Sequence, residues 1–130
     1  MATSEKQGFS LQTGSLNTLH WIGIVAAVVS AAVHFRLGFG MFPSGLGISF
    51  IIAGLGFVGA IALVLLDYRR RAVYAVGIPF TLGQIVLWYL FNFADGSKAF
   101  PADVGTLGAV DKVAQVVLIA VLVVLLRSES

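Results

Sequence analysis

Hydrophobic positions gather into four runs, from about Leu19 to Phe39, Leu46 to Leu66, Ala72 to Asn92 and Val110 to Leu126. Each is close to the roughly 20 residues needed to cross bilayer hydrocarbon. Polar residues concentrate between the runs rather than within them. No succession of alternating ten-residue segments suggests barrel strands, and backbone groups in lipid must be satisfied internally, which favours helices. The pattern predicts an all-α transmembrane four-helix bundle over residues 17–127, a polar N-terminal tail over 1–16 and a short C-terminal tail over 128–130. The first run is longer than a signal-peptide core and reads as a retained helix.

Composition strengthens this picture. The chain is 58% apolar and only 11% charged, against about 25% charged in a soluble domain. A net charge of +2 is too small to suggest nucleic acid, and the absence of cysteine excludes disulfides, iron–sulfur clusters and thiolate sites. The charges also predict orientation. Asp67-Tyr68-Arg69-Arg70-Arg71 joins the second and third runs in a tight basic turn, which the positive-inside rule places in the cytoplasm. An even number of spans then puts both termini inside. Lys6, Arg69, Arg70, Arg71 and Arg127 fall on that side, whereas Arg36, Lys98 and Lys112 fall outside or near it.

The two histidines, His20 and His34, lie in the first run. Fourteen residues of helix advance about 21 Å and return to within about 40° of the same face. That face continues through Gly23, Ile24, Ala27, Ala31 and Gly38, while Ile22, Val25, Val29 and Val33 occupy the opposite one. The histidine face should look into protein. Its spacing resembles the haem-ligand layout of cytochrome b, in which one helix carries two haems. Neutral imidazole is a good iron ligand, and bis-histidine ligation suits electron transfer. Two haem b groups need four histidines, so this reading requires a two-fold homodimer in which each histidine faces its mate. The alternative is interfacial placement, with Gly23-x3-Ala27-x3-Ala31 serving as a helix-packing seam.

Other candidates are fewer. Gly45, Gly47, Gly54, Gly56 and Gly59, with Ser49, Ala53 and Ala60, predict close packing of the second helix. Pro79 should kink the third helix by removing the partner of the Ala75 carbonyl. Beyond it Thr81, Gln84 and Trp88 could line a pocket for a quinone or small solute, and Trp88, Tyr89 and Phe93 form an aromatic belt. Asp111 should sit in the first turn of the fourth helix, where a negative charge suits the dipole, or pair with Arg36 at the same depth.

No phosphate-binding loop, His-Glu-x-x-His or nucleophile elbow is present, so the expectation is a non-enzymatic protein. The stretches Leu19–Gly23, Val76–Tyr89 and Asp111–Gln115 resemble a family of small four-helix integral membrane proteins from haloarchaea. That resemblance extends from Leu19 to Arg127 and implies an archaeal cell-membrane protein crossing the bilayer several times. It implies no activity. Three roles are therefore open: a dihaem electron carrier acting as a homodimer, an accessory or scaffold subunit of a larger membrane complex, and a small-solute transporter.

Overall fold

The computed structural model describes residues 13–128; most of the expected tail over 1–16 and residues 129–130 lie outside them. After a single 3-10 turn at Thr13–Ser15, four helices follow: α1 (Thr18–Met41), α2 (Gly45–Leu65), α3 (Arg70–Asn92) and α4 (Thr106–Ser128). All four are long and apolar enough to cross a membrane. The connections after α1 and α2 are too short for anything but antiparallel neighbours. α1 packs on both α2 and α4, α4 packs on α3, and α2 touches α3 least among the packed pairs. The bundle is a ring with one loose seam.

Local chemistry sets the helix starts. Asn17 caps α1 by accepting from the His20 amide, and the His20 ring returns the favour to the Asn17 amide, completing a capping box. Ser44 accepts from the Gly47 amide at 3.1 Å to open α2. The α2–α3 turn is tighter, with Asp67 and Arg69 both at φ 52°, the left-handed region. Arg70 secures it. Its Nε donates to the Val64 carbonyl at 2.8 Å and its Nη1 to Ser15 Oγ at 2.6 Å. Of the three consecutive arginines, Arg70 is thus a buried clasp while Arg69 and Arg71 are exposed.

Three departures from the sequence pattern matter. α4 begins at Thr106, so Asp111 lies in the second turn, and no acidic residue occupies the first. The dipole explanation for Asp111 therefore lapses, because the effect falls off within one turn. Val33 is buried rather than outward-facing; α1 is covered from two sides, so its inward arc is wide. The Gly23–Ala27–Ala31 stripe is a seam within the chain: a Cβ on Gly23 would stand 2.9 Å from Val121 Cγ1 of α4. At the other end of α1, a Cβ on Gly47 would meet the Met41 carbonyl carbon at 2.6 Å and one on Gly54 the Phe35 ring at 2.9 Å. These two glycines let α2 lie against α1. A Cβ on Gly45 or Gly59 would meet nothing within 4 Å among the described residues.

Burial is inverted relative to a water-soluble domain. Val25, Val113 and Phe91 are more than 60% exposed, while Ser30 and Gln115 are 0% and Asp111 4% exposed. Aliphatic surface outside and polar groups inside is the arrangement a lipid environment selects. Residues 93–105 connect α3 to α4. There Trp88, Phe93 and Phe100 stack edge to face, at 5.2 and 5.4 Å for successive pairs, and the Ser97 amide holds the Asp95 carboxyl below its usual range.

Candidate functional site

The buried polar residues are not scattered. Asp111 of α4 accepts from Ser30 Oγ of α1 at 2.6 Å and from Lys112 Nζ at 2.8 Å. Lys112 also donates to Gln115 Oε1 at 2.7 Å. Gln115 Nε2 in turn donates to Gln84 Oε1 of α3 at 2.9 Å and, more loosely, to Ser30 Oγ at 3.3 Å. Lys112, Gln115, Ser30 and Asp111 thereby form a closed circuit joining α1 to α4, with Gln84 as its branch onto α3. His34 stands beside it. Its Nδ1 is 2.7 Å from the Ser30 carbonyl, which can only accept, so Nδ1 carries a proton. The same nitrogen is 3.9 Å from Asp111 Oδ1. The Lys112 ammonium also lies 5.3 Å from the Trp88 ring centroid, within cation–π range. The charges of Asp111 and Lys112 cancel, which is how a buried circuit of this kind is tolerated.

Toward the basic end, the circuit gives way to a cavity of about 70 Å³ walled by all four helices. On each of three helices one turn separates the two features: Ser30 from Ala27, Gln84 from Thr81, Gln115 from Leu118. The void follows from the seam, because α2 and α3 are the least engaged neighbours and Gly56, Ala60 and Gly77 bring little volume to it. Among the described residues, only His20, Tyr74 and Thr81 contribute polar side chains to its wall. Thr81 is 1% exposed and its hydroxyl makes no hydrogen bond among the described residues. Leaving a buried hydroxyl unsatisfied costs about 1–3 kcal/mol, so the orphan calls for an explanation.

A family model, described as a family of unknown function (DUF7475), matches residues 4–126. The chain belongs to that family. No curated protein and no solved structure matches it.

Among the residues singled out from sequence, Thr81 and Gln84 do face the bundle interior, but Trp88 does not join them. Thr81 meets the cavity, Gln84 the circuit, and Trp88 the aromatic group of the 93–105 loop and, through its ring face, Lys112 of the circuit. Arg36 and Asp111 do not pair. Arg36 is exposed, two residues and about 200° of helical rotation from inward-facing His34, and Ser30 and Lys112 take the carboxylate instead.

His20 and His34 are both buried within their own bundle, at 7% and 6% exposure. His20 lies 6.4 Å from the Tyr74 ring, and His34 packs edge-on against Phe50 at 5.4 Å. Ligation of two haems across a dimer axis needs both imidazoles on an outward face, and these are turned inward. The cavity beside His20 is about half the roughly 150 Å³ that admits benzene, so a haem macrocycle does not fit there either. Ser30, Lys112 and Gln115 were assigned no site role from sequence. A signal was present, since Ser30 precedes His34 by four residues and Gln115 follows Asp111 by four, each pair sharing a helix face.

Proposed function

We propose that the protein is a multi-pass membrane protein, basic end in the cytoplasm, that binds one small lipophilic molecule inside its bundle. Of the three roles open from sequence, this stands nearest the small-solute transporter, narrowed to the binding of an apolar molecule. The observation that carries it is the four-helix cavity, apolar but for a few groups, with the unpartnered Thr81 hydroxyl in its wall. Membrane placement is supported by the four apolar helices and by the inverted burial. The cytoplasmic side is supported by the exposed Arg69 and Arg71 at one end.

Size constrains the cargo. At about 70 Å³, about half the volume that admits benzene, the cavity takes only a short segment of a narrow aliphatic chain, and the rest of the chain would lie along the α2–α3 seam. A chain can reach it from lipid through the α2–α3 seam, where helix contact is weakest. The reading requires nuclear Overhauser contacts between decane methylenes and the methyl groups of Ala27 and Ala60, with the protein in deuterated detergent. Ala60→Leu, which fills the cavity, should abolish the contact to Ala27. Decane that touches only outward residues such as Val25 and Val113 would refute it.

A further inference from the structure

The cavity ends, on its basic side, beneath the α2–α3 turn. Val64 lines it, and the Val64 carbonyl accepts from Arg70 Nε at 2.8 Å. From there α2 and α3 meet at three levels about a turn apart: Val64 by Val73, Ala60 by Gly77, and Gly56 by Phe80. All six residues line the void, and a Cβ on Gly56 would stand 2.8 Å from the Phe80 ring. The three arginines of the turn are engaged differently. Arg70 is buried, holds Ser15, and meets Asp67, the one carboxylate of the turn, at 3.3 Å. Arg71 reaches away, to the Leu126 carbonyl of α4 at 3.3 Å. Arg69 stands one turn before Val73, whose amide donates to the Arg69 carbonyl at 3.0 Å, and is exposed. Its guanidinium lies 5.4 Å from the Tyr68 ring. Among the described residues it makes no hydrogen bond and no ion pair.

We infer that the α2–α3 seam holds a fatty acid, its carboxylate paired with Arg69 at the cytoplasmic surface and its chain descending between the two helices into the cavity. This rests on the lipophile-binding reading and adds the head, the orientation and the length of the ligand. Charge, depth and length all fit. A guanidinium presents a planar fork of donors that matches a carboxylate with two parallel hydrogen bonds. A fatty acid in the inner leaflet keeps its head among the headgroups and its chain in hydrocarbon, as the exposed Arg69 and the apolar levels beyond it require. From Arg69 to Phe80 the helix advances about 17 Å, near the reach of an extended myristoyl chain. One narrow void beside one uncompensated cation suits one chain and one charge, rather than the paired chains of a phospholipid.

The test measures binding of myristate and of tetradecanol, its uncharged analogue of equal chain length, to the full-length protein in neutral micelles. It is run at alkaline pH, where the acid is ionised, and each affinity is corrected for partition into empty micelles. Myristate should bind about five- to tenfold tighter, between the value of an exposed ion pair and that of a hydrogen bond to a charged group. Arg69→Asn, a residue that tolerates the left-handed backbone, should remove the preference and leave the affinity for the alcohol unchanged. Arg71→Gln deletes the same charge on the α4 side and should leave most of the preference. Ala60→Leu should weaken both ligands. Equal affinity for acid and alcohol in the unaltered protein overturns the inference. So do equal losses from Arg69→Asn and Arg71→Gln, which would mark diffuse surface charge. A site that takes phosphatidylglycerol more tightly than myristate, or a dimer by light scattering that myristate cannot dissociate, overturns it as well. Contacts of decane to Ala27 would persist through any of these failures; their absence, with no saturable binding of acid or alcohol, sinks the lipophile reading itself.

Discussion

Asp111→Asn tests whether the circuit is a buried ionic element or a boundary pair. The substitution preserves shape and leaves Oδ1 to accept from Ser30, which stands at 2.6 Å. It replaces Oδ2, now 2.8 Å from the Lys112 ammonium, with an NH2 that can only oppose it. Removing one member of a buried pair typically costs about 3–5 kcal/mol, because the other charge is left uncompensated. The Lys112 side chain is 14% exposed, so its ammonium can turn partly outward. The low end, about 3 kcal/mol, is therefore expected. Equilibrium unfolding in mixed micelles measures it. The double variant Asp111→Asn/Lys112→Met removes both charges and keeps the stem volume, and it should return to within about 1 kcal/mol of the parent. A single-variant cost below about 1 kcal/mol, the value of an exposed ion pair, would refute the reasoning. So would a double variant no more stable than the single.

Two further expectations follow from packing and charge. Gly23→Ala should cost about 1–3 kcal/mol, because the new methyl meets Val121 Cγ1 at 2.9 Å; Val121→Ala should recover much of that loss in the same unfolding assay, whereas Gly59→Ala, with nothing within 4 Å, should be neutral or stabilising by up to about 1 kcal/mol. The cysteine-free chain suits topology mapping. Ser97→Cys should react with an impermeant maleimide on intact cells and Tyr68→Cys only after permeabilisation, and the opposite pattern would reverse the assigned orientation.

The helices were readable because each apolar run is long and uninterrupted, and the fold needs little more than that. The start of α4 was not, because Gly105 and Gly108 bracket Thr106–Leu107 and give the segment the look of a loop, although it is helical from Thr106. Moving that boundary by four residues changes the meaning of Asp111 from a dipole charge to an interior one. The supposed Arg36 partner shows a second limit. Depth alone pairs Arg36 with Asp111; rotation excludes it, and rotation could have been worked from sequence. That Ser30 is the α1 residue opposite Asp111 could not, because it depends on the register and mutual rotation of two helices 81 residues apart in the chain.

Which helix can yield to the proposed ligand is set by where the glycines are already used. At Gly47, a Cβ would be 2.6 Å from backbone of α1, and at Gly38 it would be 2.9 Å from the Gly47 carbonyl. Backbone against backbone leaves no rotamer to move, so α1 and α2 hold a fixed distance. The Ser30–Asp111 bond and the Gly23–Val121 contact likewise tie α1 to α4. α3 is held differently. It is joined to α4 through the Gln84–Gln115 bond and barely to α2, and Pro79 removes one rung of its own ladder beside the cavity. The helix that carries the unpartnered Thr81 hydroxyl is therefore the one with the weakest restraint on the lipid-facing seam. Phe80, whose ring would stand 2.8 Å from a Cβ on Gly56, lines the cavity at that seam, and its movement leaves the α1–α2 and α1–α4 contacts intact.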